Sequence, residues 1–286
     1  MFNRLPVIRD TNQLRKTVQQ WRRRGHKIAL VPTMGGLHEG HLSMVRLAKQ
    51  HAGRVVVSVF VNPAQFSPNE DYESYPRSEE RDWHKLQSAQ ADAMYAPHAD
   101  EIYPPDFSTR VEVAGLTQTL EGLSRPHFFA GVTTVVTKLF LQCLPDVAIF
   151  GEKDYQQLLV VKRLVKDLDF PLSIVAAPTV READGLAMSS RNMYLEEAER
   201  AVAPQLYAVL SDMSTDLADG REVEETIEQG AARLENAGFR LDYLEVRDSE
   251  TLMPVEDRVV DTARVLAAVY LGRTRLIDNV AIVPAA

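Results

Sequence analysis

Residues 27–61, KIALVPTMGGLHEGHLSMVRLAKQHAGRVVVSVFV, decide how the rest of the chain is read. Two short apolar runs, 27–31 and 54–61, flank a segment at 41–52 whose pattern is helical. Strands that are apolar throughout, without alternation, belong to parallel sheets covered on both faces, and parallel pairing needs a crossover such as a helix. The stretch therefore predicts one βαβ unit. The alternation extends in both directions. Upstream, Leu14, Val18 and Trp21 recur at helical spacing after Thr11 and before Gly25. Downstream, helices expected at 78–90, 131–144 and 155–168 alternate with strands expected at 92–95, 146–150 and 172–176. The pattern predicts the α/β class: a Rossmann-like, doubly wound parallel sheet.

Past Pro178 the character changes. Glu- and Ala-rich helical segments at about 196–213 and 222–236 are followed by LDYLEV, ARVLAAVYL and TRLIDNVAIV with no helix between them. Consecutive strands imply antiparallel pairing, so a smaller C-terminal α+β domain is expected, with domains at 1–179 and 180–286.

The 286 residues suffice to bury a core without disulfide or metal staples. Hydrophobic residues at 45% and charged residues at 25% exclude collagen-like and disordered classes. Forty acidic against 32 basic side chains give a formal charge of -8, which argues against a protein devoted to nucleic-acid backbones, so anionic ligands need local positive sites. The lone Cys143 sits in an apolar run and reads as a buried, inert thiol. The first ten residues lack a signal-peptide profile, and no apolar run approaches the ~18 residues that span a bilayer. No membrane partner and a cytoplasmic location are expected.

The loop after the first strand of the βαβ unit, Met34-Gly35-Gly36-Leu37-His38-Glu39-Gly40-His41, falls at a strand's carboxyl end, where ligands bind in such sheets. Gly35 and Gly36 leave room for a phosphate against the backbone, and the following helix is expected to aim unpaired N–H groups at it. His38 and His41, three apart, can face one side and donate to phosphate oxygens. A His-x-Gly-His sequence arises by chance roughly 0.01 times in a chain of this composition. A zinc site is the other reading of the pair, but no third ligand at metal-like spacing accompanies it. Lys153, after the predicted strand ending at Phe150, is either a phosphate contact or part of a solvated turn. Asp154 can bind a ribose, orient a metal-bound water or cap the helix that starts at Tyr155. The polar run Met188-Ser189-Ser190-Arg191 offers hydroxyls and a guanidinium to a triphosphate, or serves as a linker.

Six blocks together carry a resemblance: PTMGGLHEGH (32–41), VSVFVNPAQF (57–66), YPRSEERD (75–82), FGEKDYQQL (150–158), VREADGLAMSSRNMYL (180–195) and RLIDN (275–279). Over nearly its whole length the chain resembles the pantoate–β-alanine ligases, within the nucleotidyltransferase superfamily that carries the His-x-Gly-His signature. The resemblance implies ATP as co-substrate with Mg2+, pantoate and β-alanine as substrates, a pantoyl-adenylate intermediate and a homodimer, with no nucleic-acid partner. It implies ATP binding by Met34, Gly35, Gly36, Leu37, His38, Glu39, Gly40, His41, Gly151, Glu152, Lys153, Asp154, Val180 (on the adenine), Met188, Ser189, Ser190 and Arg191. His41, His38 and Lys153 are the implied catalytic groups, with His41 the direct donor. Asn62, Gln65 and Gln157 are the implied substrate-binding amides, which donate and accept at once and so suit a ligand bearing a carboxylate and hydroxyls. Metal ligands stay open, with Asp82 and Asp154 as candidates.

In one place the chain departs from the family pattern. After Leu120-Glu121-Gly122 the family has Arg-Pro-x-His-Phe-x-Gly-Val, whereas here Arg125-Pro126-His127-Phe128-Phe129-Ala130-Gly131-Val132 sets Phe128 in the histidine's place. No role carries over to His127 or Phe128; Glu121 and Arg125 match and are expected in a wall over the site. The rival functions are an adenylyltransferase that stops after nucleotide transfer, and a catalytically silent ATP-binding module, which would bind ATP without releasing pyrophosphate. An RNA-binding role like that of the aminoacyl-tRNA synthetases is disfavoured, since no basic, aromatic-rich extension is present.

Overall fold

The computed structural model describes residues 4–68 and 70–284. It separates into two compact units, Met1–Glu152 with Gln157–Pro178, and Lys153–Gln156 with Thr179–Ala286.

In the first unit, β1 (Val7–Ile8), β2 (Ile28–Thr33), β3 (Arg54–Val59), β4 (Ala93–Tyr95), β5 (Val147–Gly151) and β6 (Ser173–Ala177) form a 6-stranded sheet in the order β1-β4-β3-β2-β5-β6. Every pairing is parallel. The intervening helices are α1 (Thr11–Arg23), α2 (Glu39–His51), α3 (Glu79–Ser88), α4 (Ala99–Ile102), α5 (Glu121–Ser124), α6 (Phe128–Cys143) and α7 (Tyr155–Asp167), of which Tyr155 and Gln156 belong to the second unit. Ile28 to Val31 and Val55 to Val57 are fully buried, as strands covered on both faces must be. From β2 the chain winds outward to β3 and β4, then returns to place β5 on the other side of β2, with Ala29 opposite Val147 and Leu30 opposite Ala148. The reversal of strand order lies between β2 and β5, and at the carboxyl ends of two such strands the sheet leaves a crevice.

In the second unit, α8 (Glu197–Val202), α9 (Gln205–Ala218) and α10 (Val223–Asn236) precede a 3-stranded antiparallel sheet, β7 (Arg240–Asp248), β8 (Ala263–Leu271) and β9 (Thr274–Ile282). Its core joins Leu206, Leu210 and Leu217 of α9 to Val265, Ala267 and Val269 of β8. Among the described residues no helix is long and apolar enough to cross a membrane.

Three differences from the sequence reading have physical causes. The helical run expected at 196–213 is broken between Val202 and Gln205, because Pro204 has no N–H to continue a helix and instead opens α9. The helix α2 begins at Glu39, two residues earlier than expected, with extended His38 as its N-cap (φ -136°). The edge strand β1 has only 2 residues, too short for any periodicity to announce it. Cys143 is buried, and burial pushes its thiol up to about 12.

Candidate active site

The loop leaving β2 is built to a fixed shape. Gly35 and Gly36 both have positive φ, +87° and +60°, a region that side chains disfavour. A Cβ on Gly35 would also lie 3.1 Å from Asp82 Oδ2 and 3.2 Å from Val59 Cγ1. Thr33 pins the start of the loop by donating to the carbonyl of Ser58 at 2.7 Å. The carboxylate of Asp82, reaching in from α3, then accepts from the N–H of Gly36 at 2.9 Å and of Leu37 at 2.8 Å.

The loop's own N–H groups are thus taken up within the protein, ahead of the helix α2 from which donors to a phosphate are expected. The donors of Gly36 and Leu37 are satisfied by Asp82, and that of His38 by the Nδ1 of His41 at 3.2 Å. Leu37 also turns its side chain into the core and gives its carbonyl to Lys85. Asp82, a candidate metal ligand from the sequence, braces the loop as a buried carboxylate.

The His41 bond has a chemical consequence. A neutral imidazole that accepts at Nδ1 carries its proton on Nε2, so the His38 N–H fixes the tautomer in which His41 is a donor at its outer nitrogen. The two rings stand 4.1 Å apart between centroids, so the spacing of the signature does bring both imidazoles together. Glu39, exposed beside them, pairs with Arg46.

Burial pushes the Asp82 carboxyl above its ordinary range, while the two N–H bonds pull it back only in part. The native protein therefore holds this proton more tightly than the unfolded chain does. Asp82→Asn puts an amide NH2, itself a donor, against one of the two N–H groups and is expected to cost about 1–3 kcal/mol. The wild-type advantage should shrink as pH rises from the ordinary carboxylate range toward neutrality. Urea midpoints of both proteins at two pH values check this, and an advantage that grows with pH would contradict it.

After β3 the chain makes a 3-10 turn, Pro63–Gln65, capped by Asn62. Asn62 is 1% exposed and fully engaged: Oδ1 accepts from the Ala64 N–H at 3.2 Å, while Nδ2 donates to Gly131 O at 3.0 Å and Gln65 Oε1 at 2.9 Å. The two acceptors fix the orientation of the Asn62 amide. With Oε1 of Gln65 taken by Asn62, Gln65 presents its NH2 as the donor end. Arg125 braces the same turn, donating to Gln65 O at 2.9 Å and to both carboxylate oxygens of Glu70 at 2.8 and 2.6 Å. Its guanidinium lies 4.0 Å from the ring centroid of Phe128, so the residue at the departed position is the stacking platform of this arginine. Gln157, on α7, is half-buried in the same unit.

In the second unit, Lys153 lies two residues past the end of β5, in the 3-10 turn Glu152–Asp154, and its side chain is 19% exposed and 3.6 Å from Asp154. Val180 begins a tight hairpin: its carbonyl accepts from Met188 N–H at 3.0 Å, Arg181 bridges Ala187, and Gly185 (φ +95°) makes the turn. The hairpin leads into the 3-10 turn Ser190–Tyr194, whose N-cap Ser189 accepts from the Arg191 N–H at 3.2 Å. That bond leaves the Ser189 hydroxyl proton able to donate. Ser190 is buried.

Missed from sequence were Asp82 as the loop's brace and the contacts of Asn62 with Gly131. Asp82 is 46 residues from Gly36 and Asn62 is 69 from Gly131, so no local spacing signals either.

Residues 6–281 match the pantoate-beta-alanine ligase family. The pantothenate synthetase of Rhodospirillum rubrum is 52% identical over 279 residues, 97% of this chain and 99% of that one. The crystal structure of pantothenate synthetase from Thermus thermophilus superposes with a TM-score of 0.93 at 47% identity, covering 98% of this chain and 100% of the other. Pantoate-beta-alanine ligase from Francisella tularensis, crystallised with beta-gamma ATP and beta-alanine, gives a TM-score of 0.82 at 33% identity over 96% and 97% of the two chains. With a parallel sheet whose central strand ends in a braced His-x-Gly-His loop, and likeness from one end to the other, the chain belongs to the pantoate-beta-alanine ligase family.

Proposed function

We propose that the protein joins pantoate to β-alanine at the expense of ATP, giving pantothenate, AMP and pyrophosphate through a pantoyl adenylate. The match to the ligase family over residues 6–281 carries this reading. A carboxylate resists attack by an amine because its leaving group would be oxide. Attack by a pantoate carboxylate oxygen on the α-phosphorus of ATP expels pyrophosphate and gives a mixed anhydride, whose leaving group is AMP instead of oxide. The β-alanine amine then adds to the acyl carbon, AMP leaves, and the amine gives up a proton. No enzyme nucleophile is needed, so the protein's work is alignment and stabilisation of charge growing on the phosphates.

Each group has a role in this scheme. His41, as the Nε2–H tautomer, donates to a phosphate oxygen, with His38 beside it. Lys153 supplies a positive charge, and Ser189, Ser190 and Arg191 donate to the triphosphate. The backbone of Met34, Gly35, Gly36, Gly40, Gly151 and Glu152 lines the nucleotide, Val180 meets the adenine, and Asp154 the ribose. The Gln65 amide donates to pantoate, Gln157 completes that subsite, and Asn62 orients Gln65. Among the described residues no three His, Cys, Asp or Glu side chains group as a metal site, and Asp82 is occupied by two N–H groups. A magnesium ion in this scheme is carried on the phosphates of ATP rather than in a protein cage.

The direct test mixes the protein with ATP and pantoate, omits β-alanine, and looks for a bound acyl-AMP by mass spectrometry; its absence, with ATP still bound, would favour a silent ATP-binding module. Gln65→Ala is expected to weaken pantoate binding about tenfold, the equivalent of one charge-assisted hydrogen bond, with ATP affinity unchanged. Titration calorimetry with each ligand checks this, and unchanged pantoate affinity would refute the role. A cytoplasmic homodimer completes the reading, and sedimentation equilibrium tests the dimer.

A further inference from the structure

Of the sequence blocks that mark this chain, Arg275-Leu276-Ile277-Asp278-Asn279 has so far no chemistry attached to it. Asp278 and Asn279 are 4% and 5% exposed on β9, and polar side chains so placed are costly unless bonded. Asn279 donates from Nδ2 to the carbonyl of Lys153 at 2.9 Å, and its Oδ1 accepts from Arg264 Nη1. Arginine can only donate, so Arg264 fixes the amide with Nδ2 toward Lys153. The Arg264 guanidinium also lies 3.8 Å from the ring centroid of Tyr155, whose hydroxyl donates to Ser249 O at 2.6 Å. The adjacent Asp278 takes Arg181 in two bonds of 2.6 and 2.9 Å, and Arg181, stacked 3.6 Å from Tyr207, opens the hairpin that ends at Met188.

We propose that Asn279 is the positioning residue of Lys153, and that with Asp278 it holds the lysine and the Ser189–Arg191 loop at a set spacing from one strand. The proposal rests on the reading of Lys153 as a phosphate contact. A lysine ammonium rides on a flexible four-carbon stem, so its reach is defined only if the backbone at its root is fixed. The Asn279 bond fixes the carbonyl at that root, and small misplacement of a charge-stabilising group is expensive in rate.

Asn279→Asp keeps the size and the Arg264 pairing but replaces the donor facing Lys153 O by an acceptor. It is expected to slow pyrophosphate release from ATP and pantoate by about tenfold or more, with the KM for pantoate within about twofold of wild type and an intact circular dichroism spectrum. In a Lys153→Ala background the same substitution should cost less than about twofold, since a positioning residue has nothing left to position. Asn279→Ser, too short to reach Lys153, repeats the test should the aspartate variant misfold. A wild-type rate in a folded Asn279 variant, or an equal loss with and without the lysine, overturns the proposal. If Lys153→Ala alone turns over like wild type, the phosphate role of Lys153 has failed instead, and the proposal falls with it.

Discussion

Lys153→Ala and His41→Ala are each expected to slow the release of pyrophosphate from ATP and pantoate by about a hundredfold or more, some 3 kcal/mol of lost transition-state stabilisation, while remaining folded. For Lys153 the loss has two parts. The ammonium no longer offsets charge on the phosphates, and the Asp154 carboxylate, 3.6 Å from it in the wild type, is left unneutralised close by. For His41 the ring also accepts from the His38 N–H at the start of α2, so alanine removes a cap as well as a donor. His41→Asn separates the two effects. Its short side chain can still accept from that N–H but has no donor at the position of Nε2, so activity should fall as in the alanine variant. Only His41→Ala should then lose the about 0.5–2 kcal/mol that a helix cap contributes. Single-turnover pyrophosphate release and urea unfolding of the three variants decide this. A wild-type rate in Lys153→Ala or in either His41 variant would remove that residue from the chemistry.

Gly131→Ala should do comparable damage through one methyl group. An added Cβ there would stand 2.2 Å from the carbonyl oxygen of Ala64, 2.5 Å from its carbon and 2.9 Å from the Gln65 nitrogen. All three are backbone atoms, so no side chain can swing aside, and either the 3-10 turn or the first turns of α6 must move. Gly131 also gives its carbonyl to Asn62, which in turn orients Gln65, so the displacement reaches the amide expected to hold pantoate. Overpacking of this kind costs about 1–3 kcal/mol, which for a chain of this size lowers the unfolding midpoint by roughly 2–10 °C. Pantoate affinity should fall at least about tenfold, with ATP affinity little changed. Calorimetry and a thermal melt read both, and a variant with native midpoint and native pantoate affinity would show that the turn and α6 do not pack this closely.

How far the site was legible follows from which interactions are local. The βαβ unit was readable because Ile28 to Val31 and Val55 to Val57 are apolar throughout and buried throughout, so composition and environment coincide. The histidine pair was readable because three residues at a helix start set its geometry directly. What organises the loop between them was not, since Asp82 reaches Gly36 from 46 residues away and a single carboxylate among Glu79, Glu80 and Asp82 carries no mark of its partner. For the same reason the glycines read as opening the backbone to a phosphate, when their positive φ and a carboxylate 3.1 Å from the Gly35 Cβ position explain them first. Asn279 was invisible as a partner of Lys153 across 126 residues. The break at Pro204 had a local signal, masked by a continuous run of helix formers on either side.

Residues Lys153–Gln156 pack with the C-terminal unit although the first unit precedes and follows them in the chain. The polypeptide thus passes between units at 152/153, 156/157 and 178/179, and no single cut divides it into its natural halves. A gene split or recombined at codon 178 would hand the downstream piece a sheet whose Asn279 has lost the carbonyl it grips. Ancestry and engineering alike are then constrained to exchange this enzyme whole, or to graft the four residues along with the tail.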